Sequence, residues 1–179
     1  VEVIDKFIET KGLRKVSIIG HSIGGWIALK LVLQEQSYLD KIILVNPVGF
    51  SDYIPFVQRL LSIRLFAQLL TKTVVKPTRR NMKKFLAGVL CNVSSLTDEF
   101  VDYFYENVNK SKLSHPLLFI SGISNLFRMS EEFVLLDSLS KVDRHILIVA
   151  GEKDPLTPLA KTSDAFKLIK NAQIKIFFD

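Results

Sequence analysis

The chain has 179 residues, 48% of them hydrophobic, and its 24 Lys and Arg against 18 Asp and Glu give a formal net charge of +6. This apolar content excludes an intrinsically disordered chain, because burial can offset the entropy lost on ordering. The single cysteine, Cys91, excludes an internal disulfide scaffold, and we expect it to be a buried or incidental thiol. No apolar run reaches the roughly 18 to 20 residues that a membrane-spanning helix needs.

The first predicted elements alternate between helix and strand. Apolar residues at helical spacing predict an amphipathic helix over 2–11, and a β-favouring run predicts a strand at 16–19. The stretch after Gly20 becomes helical and almost wholly apolar, so we expect a buried helix there. The later part of the chain predicts further strands at 41–45, 145–151 and 174–178, and a helix around 159–170.

Strands that alternate with helices indicate an α/β fold with a parallel sheet. The middle of the chain differs, because no clear strand is found between about Ser51 and Arg128. We therefore expect an α/β core at 1–50 and 129–179, interrupted by an all-helical insertion at 51–128. The insertion's predicted helices cover 56–70, 78–90 and 97–108, the last capped by Thr97.

A cluster of basic residues lies in the insertion. Its six cations fall within thirteen residues: Lys72, Lys76, Arg79, Arg80, Lys83 and Lys84. They could bind phosphate or an anionic membrane surface. We expect a solvated helix face instead, because no aromatic stacking platform or nucleic-acid motif accompanies them. Neither nucleic acid nor a membrane is therefore an expected partner.

The turn after the first strand carries the chemistry. Residues 20–25 read GHSIGG, so Gly20, Ser22 and Gly24 satisfy G-x-S-x-G between a predicted strand and a predicted helix. A strand that turns abruptly into a helix strains the middle residue, and we expect side chains at both glycine positions to clash with neighbouring backbone. The Ser22 hydroxyl would stand at the carboxyl end of the strand, where parallel sheets place ligands. The Ile23 amide, at the helix N-terminus, would donate to an oxyanion.

These residues resemble the nucleophile elbow of the α/β-hydrolase family. The segment VSIIGHSIGGWIALKL resembles the family's central strand, elbow and buried helix, and KIILVNPVGF resembles its next strand. The segment HILIVAGEKDPLTP resembles the strand and turn that carry the acidic member of the catalytic triad. The resemblance implies that Asp154 is this acid, with Glu152 as the weaker competitor. It also implies that His21, in the variable elbow position, packs near the substrate pocket.

The resemblance also implies how the chain is organised. It assigns a hydrolase core with the elbow to 1–50, a helical cap to 51–128, and a core segment with the acidic triad residue to 129–179. The two core segments would hold strands five to eight of the family's sheet, with the cap between them. We therefore expect a truncated protein, inactive alone, whose strand at 16–19 is an apolar edge. The catalytic histidine and the second oxyanion donor would lie outside the sequence. The resemblance places the histidine in the loop just after the last strand. None of the three histidines present is a convincing base: His21 is in the variable elbow position, His115 in the insertion and His145 at the start of a strand.

The implied function is that of a serine hydrolase that forms an acyl-enzyme on Ser22. A carboxylesterase or lipase-like activity on a small-molecule ester with an apolar acyl group is favoured, and neither a metal nor an organic cofactor is implied. The segment SSLTDEFVDYF is similar to a cap segment of hydrolases that cleave carbon–carbon bonds in ring-cleavage products. Tyr103 or Phe104 stands where those enzymes carry an arginine, although Arg128 could meet a substrate carboxylate. Carbon–carbon bond hydrolysis and a non-catalytic, ligand-binding role therefore stay open as alternatives.

Overall fold

A computed structural model describes residues 1–55, 59, 62–63, 65, 78–90, 92–110, 122–125 and 128–178. Most of the helix predicted over 56–70 lies outside these residues, as do Cys91, His115, Lys72 and Lys76. The chain divides into two compact units. The first comprises 1–51, 132–152 and 157–178, and the second comprises 52–131 and 153–156.

The order of helices and strands follows the predicted alternation in the first unit. In chain order the elements are α1 (Glu2–Thr10), β1 (Val16–His21), α2 (Ile23–Leu33), β2 (Leu39–Val45), α3 (Arg79–Val89), α4 (Asp98–Lys110), β3 (Ser124–Asn125), β4 (Arg128–Met129), α5 (Leu136–Leu139), β5 (Ile146–Gly151), α6 (Leu159–Phe166) and β6 (Ala172–Phe177). Short 3₁₀ turns at Val93–Ser95 and Glu131–Phe133 precede α4 and α5.

The first unit is built on a four-stranded parallel sheet in the order β1-β2-β5-β6. The parallel sheet and its four strands are confirmed as predicted from the apolar runs. His21, Val45, Val149 and Lys175 stand side by side across the sheet. The carboxyl ends of the strands are therefore at one edge of the sheet, which is where parallel sheets present functional side chains.

The core of this unit lies between the sheet and its helices. Leu29 and Leu31 of α2, Leu44 of β2 and Ile148 of β5 have no exposed surface and belong to one apolar cluster. Helix α6 contributes to the same cluster through Ala165. Helix α2 is apolar on nearly every side because it packs into this core directly behind the turn that carries Ser22.

A side-chain hydrogen bond links helix α1 to the residue before β2. The Tyr38 hydroxyl donates to Asp5 Oδ1 of α1 at 2.5 Å. Burial and the nearby Asp5 carboxylate raise the pKa of Tyr38 well above its usual value. Tyr38 directly precedes β2, so this bond ties α1 to the beginning of that strand.

The second unit contains two helices and a short hairpin. Met82 and Leu86 of α3 pack with Val101 of α4 in a small apolar cluster. The predicted cap is present, because the Phe100 amide donates to Thr97 Oγ1 at 3.1 Å. The prediction of no strand before Arg128 is wrong, since β3 and β4 pair antiparallel. Two-residue strands are too short to show the alternation that identifies a strand in sequence.

Part of the basic cluster is paired with carboxylates. Arg79 contacts both Asp98 and Asp102, and Lys83 Nζ lies 2.9 Å from Asp98 Oδ1. Hydrogen bonds from these cations hold the pKa of Asp98 and of Asp102 below its usual value. These contacts join α3 to α4 on an exposed surface, where solvent screening keeps the contribution of each ion pair small.

The described part of the chain has neither a membrane-spanning helix nor a metal-binding cluster. None of its helices is both long and apolar enough to cross a membrane. No group of three or more His, Cys, Asp or Glu residues within it could hold a metal ion.

Candidate active site

Ser22 occupies a strained turn between β1 and α2. Its backbone angles are φ 53° and ψ −117°, a region that residues other than glycine rarely adopt and that costs on the order of 1–3 kcal/mol. Four neighbouring groups hold this conformation. The Ser22 amide donates to the Val45 carbonyl at 3.0 Å. The Ser22 carbonyl accepts from the amides of Gly25 and Val48, each at 3.0 Å, and from the Trp26 amide at 3.3 Å. The serine is thereby fixed at the end of β1.

Two glycines make this close approach possible. A Cβ atom at Gly20 would lie 2.4 Å from the Gly24 carbonyl oxygen, and a Cβ atom at Gly25 would lie 2.6 Å from the Pro47 Cβ. A Cβ atom at Gly24 would meet nothing within 4 Å among the residues that the structure covers, leaving aside helix α2's own backbone. The expected clash is therefore confirmed at Gly20 and wrong at Gly24, because the crowded helix position is Gly25. The second glycine of the pair in GHSIGG was the sequence signal for this crowded position.

The amide of Ile23 is free to stabilise an anion. Ile23 is the first residue of α2, so its N–H has no acceptor within the helix. No described residue accepts a hydrogen bond from it. An amide in this position, at the positive end of a helix and next to the serine, suits a developing oxyanion.

Asp154 lies in the turn that follows β5. Strand β5 ends at Gly151, and Asp154 follows three residues later in the second unit. Asp154 is half-buried, and its Oδ1 accepts from the Leu156 amide at 2.7 Å. Glu152, the competing acid, is exposed and its amide donates to the Phe177 carbonyl. A carboxylate held by its own turn is better suited than an exposed one to orient a base.

The histidines occupy contrasting places. His21 is the last residue of β1, directly before the serine, and its side chain is exposed. His145 directly precedes β5 at its amino end, so it lies at the opposite end of that strand from Gly151. The first unit thus brings together Ser22, Ile23 and His21 at the carboxyl end of β1. The roles of these residues and of Asp154 stay predictions.

Asn46, directly after the strand predicted at 41–45, was not among the predicted site residues. Asn46 follows β2 with a φ of 41°, and its amide donates to the Val149 carbonyl at 2.9 Å. Its Oδ1 atom accepts from the Gly151 amide at 3.0 Å. An asparagine directly after a predicted buried strand was the available signal, because Asn tolerates a left-handed backbone.

Comparison with known proteins shows the family to which the fold belongs. The family model described as "alpha/beta hydrolase fold" matches residues 1–179. A 2-hydroxy-6-oxononadienedioate/2-hydroxy-6-oxononatrienedioate hydrolase 1 of Dechloromonas aromatica is 27% identical over 95% of this chain and 56% of its own length. A protein of the same name from Pseudomonas putida is 23% identical over 98% of this chain and 59% of its own length.

A solved structure has the same fold. The serine hydrolase CCSP0084 from the polyaromatic hydrocarbon-degrading bacterium Cycloclasticus zankles has a TM-score of 0.74 and 22% identity, over 98% of this chain and 60% of that structure. The chain therefore spans less than two thirds of the length of the proteins it matches. The family match over all 179 residues and the strand order show that this chain belongs to the alpha/beta hydrolase fold family.

Proposed function

We propose that the whole protein hydrolyses carboxylic esters through an acyl-enzyme on Ser22. The observation that carries this proposal is the backbone of Ser22, held at φ 53° beside the amide of Ile23, which bonds to no residue that the structure describes. Strain of this kind persists only where neighbouring groups impose it, and it is concentrated at functional sites. A turn needed only to reverse the chain would place glycine at this position.

The reaction assigns one role to each residue. Ser22 Oγ attacks the ester carbonyl carbon while its proton passes to a histidine that we place outside these 179 residues, with Asp154 orienting that histidine. The Ile23 amide donates to the oxyanion that forms on the carbonyl oxygen. The intermediate collapses, and the alcohol leaves with the proton from the histidine. Water then repeats the sequence on the acyl-enzyme, which releases the acid and restores the serine.

The expected contributions are large enough to measure. A single oxyanion donor contributes about 2.7–4 kcal/mol to transition-state stabilisation in serine hydrolases. Loss of the nucleophile removes a factor of about 10⁶ in kcat in a well-characterised serine protease. Ser22→Ala should therefore abolish detectable turnover, so this variant is the negative control for ester hydrolysis.

Cleavage of a carbon–carbon bond is the second candidate. It is favoured by the printed names of the two relatives, both hydrolases of 2-hydroxy-6-oxononadienedioate. The same serine and amide would serve, because that substrate also presents a carbonyl carbon to a nucleophile. Arg128, a candidate for its carboxylates, is exposed and lies 3.9 Å from Asp52 Oδ2, which does not favour this reading.

One assay separates the two candidates. The whole protein is incubated with p-nitrophenyl butyrate and, separately, with 2-hydroxy-6-oxononadienedioate, each with Ser22→Ala as the control. We expect release of p-nitrophenol by the wild type alone. Faster serine-dependent loss of the dienedioate than of the ester would establish the second candidate. Absence of turnover of either substrate by a folded protein would contradict both and favour a ligand-binding role.

A further inference from the structure

Asn46 bonds to the end of β5 and directly precedes the two residues that pack against the serine turn. Strand β2 ends at Val45, where the chain turns away from the sheet through the left-handed backbone of Asn46. Strand β5 continues for two residues beyond Val149, which pairs with Val45. The Gly151 amide would then lack a backbone acceptor on β2. The Asn46 side-chain oxygen replaces it, at 3.0 Å.

This bond fixes the point at which the chain leaves β5. On its other side, the Glu152 amide donates to the Phe177 carbonyl at 3.0 Å. The last residues of β5 are therefore held from both neighbouring strands. Asp154 follows Glu152 by two residues, so the chain runs to it directly from this held end of β5.

The residues after Asn46 hold the serine turn. The Val48 amide donates to the Ser22 carbonyl at 3.0 Å, and Pro47 fills the space that a Cβ atom at Gly25 would need. Residues 46–48 thus contact the end of β5 through the amide and the side chain of Asn46. They contact the turn of Ser22 through the Val48 amide and the segment behind it through the Pro47 ring. A shift at Asn46 would move one segment relative to the other.

We propose that Asn46 is a positioning residue, whose side-chain oxygen sets the exit of β5 and thereby the placement of Asp154 for catalysis. The proposal rests on the proposed function, in which Asp154 orients the base. It assigns Asn46 no contact with substrate. Misplacement by about 1 Å of a catalytic group can cost about 100-fold in rate, so we expect a 10- to 100-fold loss of kcat when this bond is removed.

Two substitutions separate the side-chain oxygen from the backbone conformation. Asn46→Gly keeps the left-handed backbone and removes the acceptor, whereas Asn46→Asp keeps an acceptor oxygen and a residue that tolerates this conformation. Asn171→Gly is the matched control, because Asn171 Nδ2 donates to Asp143 Oδ1 on the exposed surface before β6. It removes an asparagine hydrogen bond near the amino ends of the same strands.

The assay is steady-state hydrolysis of p-nitrophenyl butyrate by the whole protein, with kcat and KM measured across pH. For Asn46→Gly we expect kcat to fall 10- to 100-fold with KM within about twofold, since the residue does not contact substrate. The acid limb of the kcat/KM profile should move to lower pH. A displaced Asp154 carboxylate would stabilise the protonated base less and so lower its pKa. Asn46→Asp should recover at least tenfold over Asn46→Gly, and Asn171→Gly should match wild type.

The outcomes distinguish this proposal from the function on which it rests. A folded wild type without Ser22-dependent turnover would overturn both. An active wild type with Asn46→Gly unchanged in kcat and pH profile would overturn the positioning role alone, as would equal losses in Asn46→Gly and Asn171→Gly. If Asn46→Gly does not fold, the kcat of Asn46→Asp is the measurement that tests the positioning role. A kcat within threefold of wild type supports the role, and a tenfold loss with the Gly151 amide still protected from hydrogen exchange overturns it.

Discussion

The three glycines of the serine turn should differ sharply in their tolerance of alanine. At Gly20 the added Cβ would lie 2.4 Å from the Gly24 carbonyl oxygen and 2.8 Å from the Gly25 Cα. Both contacts are with backbone, which cannot rotate away, so the cost should be at the upper end of the usual overpacking range, about 3 kcal/mol. At Gly25 the contact is with the Pro47 ring at 2.6 Å. A gain in helix propensity of up to about 1 kcal/mol offsets part of that cost and leaves about 2 kcal/mol.

Gly24 should behave in the opposite way. Apart from its own helix, no part of the described chain lies within 4 Å of the position of an added Cβ atom, and the residue is in the first turn of α2. Gly24→Ala should therefore leave the free energy of unfolding unchanged or raise it by up to about 1 kcal/mol. The Gly20→Ala and Gly24→Ala variants should differ by about 3–4 kcal/mol, although both change a glycine of the same motif.

Urea unfolding of the whole protein measures these differences. Trp26 is the only tryptophan and lies in α2, so its fluorescence reports on this region. With a slope of about 1–3 kcal/mol per molar urea, Gly20→Ala should lower the midpoint by about 1 M or more. Equal destabilisation by Gly20→Ala and Gly24→Ala would refute the account of the crowding around Ser22.

The remaining predictions concern catalysis, pH and the first helix. Asp154→Asn should lower kcat about 10⁴-fold, whereas Glu152→Gln should leave it within threefold; equal losses would contradict the assignment of the acid. The ion pairs of Asp98 and Asp102 stabilise the folded chain above the ordinary carboxyl pKa and are lost as pH falls through the lowered pKa. Melting temperature below about pH 4 should therefore fall less in Asp102→Asn than in wild type. Tyr38→Phe should lower the free energy of unfolding by about 1.5 kcal/mol in urea, and no change would contradict the role of its hydroxyl.

The sheet could be predicted from sequence because its signals are local. Each buried strand is an apolar run bounded by a turn residue, and helix α2 is apolar throughout. The serine turn was equally local, since its motif spans five residues between a strand and a helix. The hairpin of β3 and β4 could not be predicted, because two residues carry no periodic signal.

The features that sequence missed depend on contacts between distant segments. Asn46 and Gly151 are separated by 105 positions, and nothing near either residue indicates the other. The same holds for Arg79 and Asp102, where charge alone could not distinguish a solvated cation from a paired one. The misassigned glycine is a further case, because the space around Gly25 is set by Pro47 of a different segment.

The most direct test of the central claim is covalent labelling of Ser22. The whole protein is treated with a fluorophosphonate, which reacts with activated serine hydroxyls, and the modified peptide is identified by mass spectrometry. We predict one adduct on Ser22, lost in Ser22→Ala and slowed in Asp154→Asn, with both variants melting at the wild-type temperature. A folded wild type that carries no adduct at Ser22 would contradict the assignment of this residue as a catalytic nucleophile.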